Sequence, residues 1–334
     1  MEIKKISEVN VNEEFIAFLL VSKVEVKTKK NGEPYLSLEL KDKALTFQAV
    51  MWENFENVKD ELEPGRIIKI QGTLSEYNGG QQIKISRLRV ADEKDGIKLE
   101  DFLPVSKRPL DEMLDEFERV TNSINNEYLK KLIDSVFDGQ LKERFIMTPA
   151  GKSWHHAYIH GLLEHTLEIV KICDLVATFH PEINRDLLIA GALLHDIGKT
   201  EELDYKKAFG YTDKGSLLGH ITIAAIEVEK AIDKIEGFPE ELKNQTLHLI
   251  LSHQGKLEFA SPVVPKTLEA IVLYHADELS AKANAYKNAI IAESEGDKKW
   301  TKYIYLAETN LYIPEDLQKR ESNEGEISEE ENHP

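Results

Sequence analysis

A set of four histidines and two aspartates between residues 165 and 277 constrains the fold of this chain more than any other feature. Imidazole nitrogens and carboxylate oxygens suit divalent transition metals such as Mn, Fe, Co, Ni and Zn. An aspartate directly after a histidine can offer one carboxylate oxygen to each of two metal ions. The pattern therefore predicts a two-metal hydrolase centre with six ligands: His165, His195, Asp196, His220, His253 and Asp277.

The first ligands lie on two predicted helices. The periodicity places His165 inside a helix over about residues 154–179, with one apolar side. His195 and the aspartate after it close a strongly apolar helix, and Gly198 just beyond them is a usual helix stop. The pair is thus expected at a rigid helix end, next to a loop that can admit substrate.

The other ligands lie on three further predicted helices. His220 begins a helix that runs to about Ile235, and His253 closes a helix that starts near Glu240. Asp277 lies inside an apolar helix, where an unpaired carboxylate is costly to bury. Six candidate ligands on five predicted helices must therefore converge in the folded domain.

The N-terminal part of the chain has a different pattern, typical of β-structure. Residues 35–40 alternate with period two, and residues 78–80 (Asn-Gly-Gly) are a hairpin signal. Five strands are expected within residues 14–90, with a short helix near residues 53–61 after the third strand. This arrangement predicts a small barrel of the OB type.

The expected architecture is therefore multidomain, with an N-terminal all-β OB barrel and an all-α C-terminal domain. The barrel is assigned to residues 1–95 and a linker with a helical connector to residues 96–149. The all-α domain, without a convincing strand, is assigned to residues 150–314. Residues 315–334 carry 8 acidic and 2 basic side chains and are predicted to form a disordered acidic tail.

Charge and cysteine content narrow the choice of partner and compartment. The formal net charge is −18, yet the first 95 residues are nearly neutral, so a polyanion would be bound through local patches and metals. The single cysteine, Cys173, excludes an intrachain disulfide and fits a reducing compartment. No apolar run approaches the ~20 residues of a membrane helix, and no signal pattern is visible. A cytoplasmic protein without a membrane partner is expected.

The ligand pattern resembles the HD-domain superfamily of metal-dependent phosphohydrolases. The resemblance rests on the segment from His195 to Lys199 (His-Asp-Ile-Gly-Lys), with His165 upstream and Asp277 downstream. It implies two metals that activate a bridging water or hydroxide for in-line attack on phosphorus. It also implies the division of ligands. The first metal takes His165, His195, Asp196 and Asp277, and the second takes Asp196, His220 and His253.

Further side chains near the ligands are candidates for catalysis. Lys199, one turn past the bridging Asp196, can neutralise a phosphoryl oxygen. His155 and His156 can protonate a leaving alkoxide or orient the scissile phosphate. His160 is five residues before the first ligand and not quite on the same helix face, and a histidine two residues before Asp277 (His275) points elsewhere.

The barrel offers candidate contacts for single-stranded nucleic acid, because such barrels stack bases on aromatic rings and follow phosphates with basic residues. Two tyrosines border turns and are expected at the surface, whereas Phe47 and Trp52 are expected in the barrel core. Lys69 is a further basic candidate. The predicted nucleic-acid-binding residues are Tyr35, Tyr77, Lys84, Arg87 and Arg89.

The whole layout resembles the YhaM family of bacterial 3′–5′ exoribonucleases, over roughly residues 1–314. The most specific segment runs from His155 to Thr166 (His-His-Ala-Tyr, then Gly-Leu-Leu-Glu-His-Thr), with His160 where that family usually has glycine. The resemblance implies metal-dependent hydrolysis of single-stranded RNA from the 3′ end to nucleoside 5′-monophosphates. It implies two divalent ions, Mn²⁺ first, with Fe, Co or Ni as alternatives. Single-stranded DNA is a second expected substrate.

Two other classes of function stay open at this point. One is a phosphodiesterase or nucleotidase for small nucleotides or cyclic dinucleotides, in which the barrel regulates or mediates oligomerisation. The other is a nucleic-acid-binding protein with an inactive centre, and the complete ligand set argues against it. A homo-oligomer is a further expectation.

Overall fold

The computed structural model describes residues 3–43, 45–77, 80–205, 210–294, 298–315 and 317. Residues 78 and 79 of the predicted hairpin turn, and nearly all of the predicted acidic tail, lie outside these described residues. Within them, an N-terminal barrel precedes a helical domain, which confirms the predicted fold class. The exact boundaries assigned to the domains stay predictions.

The barrel closes through five strands in the order β1-β2-β3-β5-β4, with β3 and β5 parallel and the other pairs antiparallel. Its interior is a single apolar cluster to which every strand contributes. The predicted helix after β3 is only a three-residue 3₁₀ turn, Lys59–Glu61. The strands are β1 (Glu14–Thr28), β2 (Pro34–Lys41), β3 (Thr46–Met51), β4 (Ile67–Tyr77) and β5 (Gly80–Val90).

A β-bulge explains why the apolar residues of β5 alternate imperfectly. The register against β4 shifts so that Ser86 has no directly paired residue, and the inward positions step from Ile85 to Leu88. On β4 the facing residue is Gly72, where a Cβ would lie 2.7 Å from the carbonyl oxygen of Lys84. A side chain at this position would force the two strands apart, so glycine is required by close approach.

The connector holds the barrel against the helical domain. Its helices are α1 (Leu110–Asn122), α2 (Glu127–Val136) and α3 (Gln140–Met147). Before α1, Phe102 and Leu103 pack with Phe18 and Leu20 of β1 and with Ile159 in one buried cluster. Backbone hydrogen bonds also join the connector to Ile159, whose N–H donates to the carbonyl of residue 104 at 2.8 Å. The barrel therefore contacts the loop that precedes the first ligand helix.

The helical domain carries the predicted ligands. The prediction that it contains no strand is wrong in detail, because β6 (Leu203–Asp204) and β7 (Gly210–Tyr211) form a two-stranded sheet. Among the described helices, none has the length and apolar character needed to cross a membrane. The helices are α4 (Gly161–Phe179), α5 (Arg185–Leu194), α6 (Lys199–Glu202), α7 (Asp213–Ile232), α8 (Glu240–Ser252) and α9 (Leu268–Ala292).

Helix α4 begins later than its periodicity predicts. The chain from residue 154 to 160 is irregular, and His160 adopts a left-handed conformation with φ +67° directly before the helix. Glycine adopts this region more readily than histidine, so the backbone of His160 is strained here. The loop thus places His155 and His156 outside the helix, in positions that helical periodicity could not give.

Helix α5 lies at the centre of the domain and fixes the site. Every residue from Leu187 to Leu194 is buried, so this helix is apolar on all sides. His195 caps its C-terminus, and Asp196 follows at once. The adjacent pair is consequently held deep inside the domain.

Candidate metal centre

The six predicted metal ligands converge in the structure. His165, His195 and Asp277 bring ligand atoms within 4.8 Å of one another, and so do Asp196, His220 and His253. The four imidazoles come from four different helices or helix ends, as the sequence predicts. Five of the six ligands expose less than a tenth of their surface, and His220 is half-buried. Their assignment as ligands stays a proposal, which the following geometry supports.

Two of the imidazoles are fixed by the ends of their own helices. At the end of α5, His195 Nδ1 lies 2.8 Å from the carbonyl oxygen of Ala192. At the end of α8, His253 Nδ1 lies 2.7 Å from the carbonyl oxygen of Ile250. The last carbonyls of a helix lack intrahelical donors, so the imidazole N–H satisfies one of them. Because Nδ1 carries the proton, the lone pair of each ring is on Nε2 and faces the centre.

The other two imidazoles are oriented by side chains that the sequence analysis did not single out. Glu202 Oε1 accepts from both His220 Nδ1 at 3.1 Å and the His220 backbone N–H at 3.0 Å. His165 Nδ1 donates to Ser280 Oγ at 3.0 Å, and Ser280 donates in turn to Glu168 Oε2 at 2.6 Å. Such partners hold the tautomer and the ring direction of metal ligands. No local pattern signals Ser280, which is 115 residues from His165.

Asp196 lies between the two groups of ligands and turns one oxygen to each. Its Oδ2 is 3.3 Å from His195 Nε2 and 3.7 Å from His165 Nε2. Its Oδ1 is 3.6 Å from both His220 Nε2 and His253 Nε2. This division is the one that a carboxylate bridging two metal ions requires.

Unsatisfied buried atoms test whether a metal fits here. Asp196 Oδ1, His195 Nε2 and His220 Nε2 are buried and have no hydrogen-bond partner among the described residues. Unpaired buried polar atoms are costly. Here the unpaired atoms belong to side chains whose ligand atoms lie close together. Imidazole nitrogens and carboxylate oxygens are the donors that bind divalent transition metals. The residues therefore fit divalent transition-metal ions.

The buried charges influence one another strongly. Burial alone would raise the pKa of Asp196, but Lys199 and His195 outweigh it and hold that pKa well below its usual value. Burial lowers the pKa of His165 and of His253, which favours neutral imidazoles. For His195, burial opposes the charged form, yet the Asp196 carboxylate outweighs it and the pKa is raised.

Lys199 is buried at the centre. Its Nζ lies 2.6 Å from Asp196 Oδ2, and only 7 % of the residue is exposed. Burial lowers its pKa, but Asp196 outweighs that effect, so the pKa is raised and the ammonium stays charged. The preceding Gly198 lies just beyond the end of α5, as expected of a helix stop, but its φ of −62° is not the left-handed conformation common at such glycines. Instead, a Cβ there would lie 2.0 Å from the carbonyl oxygen of His220, so glycine allows α6 and α7 to approach.

A cavity of about 510 Å³ opens beside the centre. His155, Lys199, His253 and Asp277 line its inner end. Aromatic rings form much of the remaining wall, so the cavity has flat apolar faces, and charged side chains of both signs lie between them. Lys282 is paired with Glu278 at 2.8 Å. The aromatic and charged residues of this wall are Trp154, Phe259, Tyr274, Tyr286, Lys256, Lys282, Glu278 and Glu308.

The structure separates the two histidines predicted to be catalytic. His155 lines the cavity, its ring nitrogens have no partner among the described residues, and burial lowers its pKa to about 2. His156 is fully buried, does not line the cavity and faces Glu168, with Nε2 3.3 Å from Oε2. The geometry therefore does not support the predicted catalytic role of His156. His160 is bonded to the Ile146 carbonyl at 2.7 Å and is not a ligand.

On the barrel, the aromatic prediction needs one correction. Phe47 is buried in the core as expected, but Trp52 is 42 % exposed and is not a core residue. Its ring contacts Tyr35, with ring centroids 4.8 Å apart, and Lys29 Nζ lies 5.6 Å from the Trp52 centroid. Tyr77 is 61 % exposed at the other end of the barrel strands. Trp52 lies one residue beyond the end of β3, where alternation along the strand no longer fixes the direction of its side chain.

The predicted basic residues do not form one continuous patch. Arg89 pairs in register with Lys69, but its guanidinium is bound by Asp95 through two contacts of 2.7 and 2.6 Å. Arg87 is exposed two positions away on the same strand, while Lys84 is exposed beyond the bulge and pairs with β3. The charge available to a phosphate on β4 and β5 is therefore carried by Lys69, Arg87 and Lys84, and the bulge separates Lys84 from Arg87.

Comparison with known proteins agrees with both halves of the structure. A family profile described as an HD domain matches residues 162–282, and one described as an OB-fold nucleic acid binding domain matches residues 21–91. The 3′–5′ exoribonuclease YhaM of Bacillus licheniformis is 33 % identical over 305 residues, covering 91 % of this chain and 96 % of that protein. The protein of the same name from Bacillus subtilis is 31 % identical over 302 residues, covering 90 % and 95 %.

Among solved structures, the second OB-fold domain of replication protein A from Methanococcus maripaludis resembles the barrel. It is 21 % identical, covers 27 % of this chain and 96 % of that chain, and gives a TM-score of 0.24.

Proposed function

Because this chain belongs to the family of the YhaM 3′–5′ exoribonucleases, we propose that it hydrolyses single-stranded RNA from the 3′ end and releases nucleoside 5′-monophosphates. Single-stranded DNA is proposed as a second substrate, because base stacking does not depend on the 2′-hydroxyl. The main structural support for the proposal is the orientation of Asp196. Its two carboxylate oxygens face different pairs of imidazoles.

Two divalent ions, Mn²⁺ in the first place, would be held by the six ligands. His165, His195 and Asp277 with one oxygen of Asp196 would hold one ion, and His220 and His253 with the other oxygen would hold the second. When bound, such a pair supplies an activated water and stabilises charge on the attacking and leaving oxygens. Fe, Co and Ni suit the same donors.

The remaining residues of the centre act on the phosphate and on protons. Lys199 keeps its ammonium beside Asp196 at the inner end of the cavity, where it can neutralise a phosphoryl oxygen. Because burial lowers its pKa, His155 is a neutral imidazole in the same cavity, with both ring nitrogens free for a substrate. It can orient the scissile phosphate through an N–H donor. Lys199, His155 and the bridging Asp196 are the proposed catalytic residues.

The cavity suits the end of a nucleic-acid strand. Its volume of about 510 Å³ falls within the range typical of small-ligand sites. Phe259 and Tyr274 offer flat faces for a base, and Lys256 Nζ lies 5.0 Å from the Phe259 ring centroid. Aromatic faces bind bases with little sequence preference, which is what a nuclease that degrades successive nucleotides needs.

The barrel would bind the strand upstream of the cleaved end. Trp52 provides an exposed ring that contacts the half-buried Tyr35 and the Lys29 cation, and Lys69 with Arg87 provides positive charge on another face. We propose Tyr77 and Lys84 as additional contacts, since both are exposed. Arg89 would contribute less, because Asp95 already engages its guanidinium.

A phosphodiesterase for free nucleotides or cyclic dinucleotides is the second candidate function. It is favoured by one observation: a cavity of this volume can enclose a small nucleotide without any contribution from the barrel. A cytoplasmic location and a homo-oligomeric state remain predictions.

A time course on a 5′-labelled single-stranded RNA with Mn²⁺, with and without EDTA, tests the proposal. The expected result is a ladder that shortens from the 3′ end and is abolished by EDTA. Intact RNA under conditions in which bis-p-nitrophenyl phosphate is cleaved would overturn the exoribonuclease proposal and favour the small-nucleotide alternative. A labelled DNA of the same sequence measures the preference for RNA.

A further inference from the structure

A third group of ligand-type side chains lies on the opposite side of His165 from the two-metal centre. Glu164 and Glu168 are one turn apart on α4, and His156 approaches them from the preceding loop. One ligand atom from each of these three residues lies within 4.8 Å of the others. None of its three members is one of the six ligands described above. It adjoins His165 through the hydrogen bonds of Ser280 and through the His156 ring, whose centroid lies 5.2 Å from that of His165.

The basic group beside the two carboxylates is the His156 imidazole, with Nε2 3.3 Å from Glu168 Oε2. Among the described residues, neither Glu164 nor Glu168 forms an ion pair with a lysine or arginine, and both are only partly exposed. Instead, hydroxyl groups donate to them: Ser106 Oγ to Glu164 Oε2 at 2.6 Å, and Ser280 Oγ to Glu168 Oε2 at 2.6 Å. Hydroxyl donors orient a carboxylate without neutralising it, so two negative charges face each other across a short distance.

His156 supplies independent evidence for a ligand. The residue is 0 % exposed, its Nδ1 has no hydrogen-bond partner among the described residues, and its Nε2 contacts Glu168 Oε2 at 3.3 Å without a well-directed hydrogen bond. Its backbone is held in a left-handed conformation with φ +42°, and its N–H donates to Asn284 Oδ1 at 2.9 Å. A buried imidazole without a hydrogen bond is unfavourable, yet the backbone fixes it in a direction that places Nε2 beside the carboxylates.

We propose that His156, Glu164 and Glu168 bind a third divalent cation. One imidazole nitrogen and two carboxylates form a mixed donor set that suits Mn²⁺ or Zn²⁺. The cation would neutralise the carboxylate pair and use the lone pair of the buried imidazole. Because Ser106 belongs to the connector, the cation would also tie the connector to α4 behind the catalytic centre.

Counting bound metal in the full chain tests the proposal. The protein is stripped with EDTA, dialysed against excess Mn²⁺ and then against metal-free buffer for a short time, and its Mn content is measured by mass spectrometry. The expected result is three equivalents for the natural chain and two for Glu164→Gln. Glu164 is the better position than Glu168, because Glu168 also reaches His165 through Ser280. Glu127→Gln, at an exposed helix position far from the group, is the matched control and should keep three equivalents.

Two or fewer equivalents in the natural chain, or the same number in Glu164→Gln as in the natural chain, would overturn the third site. Glu164→Ala serves as a second variant if the glutamine variant does not fold, with circular dichroism as the check on folding. The count does not depend on turnover. Loss of RNA hydrolysis with three bound equivalents would contradict the proposed function and leave the third site standing.

Discussion

The barrel and the helical domain differ in where their charged side chains lie. The barrel interior is an apolar cluster without a buried charge among its described residues, and charged side chains of the barrel pair at the surface, as Lys4 does with Glu13. The helical domain instead buries His165, Asp196 and Lys199 against one another at its centre. Surface ion pairs contribute little to stability, whereas buried charges are costly unless they are compensated. A domain that retains such groups in its core does so for chemistry, and one that keeps them outside offers a binding surface.

Substituting the bridging carboxylate should have the largest effect on this contrast. Asp196→Ala removes the residue that faces both metal positions, and metal stabilisation of a transition state is worth several kcal/mol. At 1.36 kcal/mol per tenfold, a loss of about 4 kcal/mol lowers kcat by about a thousandfold or more. Steady-state hydrolysis of labelled RNA is the measurement, with the exposed Asp138→Ala as control. Activity close to that of the natural chain would rule out the bridging role.

A smaller effect is expected from the carboxylate that orients His220. Glu202→Gln weakens the acceptor for His220 Nδ1, and loss of such partners typically lowers metal affinity by about 10- to 100-fold. Isothermal titration with Mn²⁺ measures the change. The neighbouring Glu201→Gln is the matched control, because Glu201 pairs with Lys214 and does not contact His220. Equal affinities for the two variants would show that Glu202 is not needed to position the ligand.

On the barrel, the role as a binding surface is tested at Trp52, the exposed ring that contacts Tyr35. Trp52→Ala removes a ring that can stack on a base, which is worth about 1–3 kcal/mol, or roughly 5- to 150-fold in RNA affinity. Fluorescence anisotropy with labelled single-stranded RNA gives the affinity, and cleavage of bis-p-nitrophenyl phosphate should not change. Phe179→Ala, which also removes an exposed ring, is the control on the other domain. Unchanged RNA affinity in Trp52→Ala would place the barrel contact elsewhere.

The smallest expected effect is the pH dependence of metal binding. Burial opposes protonation of His195, but Asp196 outweighs it and raises the pKa, so this imidazole must lose a proton before it can bind a metal. Affinity for Mn²⁺ should therefore fall by up to about tenfold for each pH unit below that raised pKa. Titrations with Mn²⁺ between pH 6 and pH 8 measure this affinity. The exposed ion pairs of the barrel should add no comparable pH dependence to it. An affinity that is constant over this window would contradict the prediction.

The two domains differ in how far their structure follows from local patterns in the sequence, and the difference has a physical reason. Period-two alternation and turn residues predicted the strands of the barrel, and the exception at Ser86 required the register of the neighbouring strand. In the helical domain, helix ends at His195 and His253 followed from apolar runs that stop. The irregular loop before α4 does not follow from periodicity, because its residues are held by contacts distant in sequence. The backbone N–H of His156 donates to Asn284, and the ring of His160 contacts the carbonyl of Ile146.

By itself, the sequence determined the two kinds of domain and the six candidate ligands, because periodicity and ligand-type residues are local properties of the chain. Only the tertiary structure decided which oxygen of Asp196 faces which imidazoles, and that His155 lines the cavity while His156 turns away from it. It also revealed Glu202 and Ser280 as the partners that orient two ligands. The reason is that direction and distance between side chains arise when separate helices pack, and no spacing along the chain encodes them.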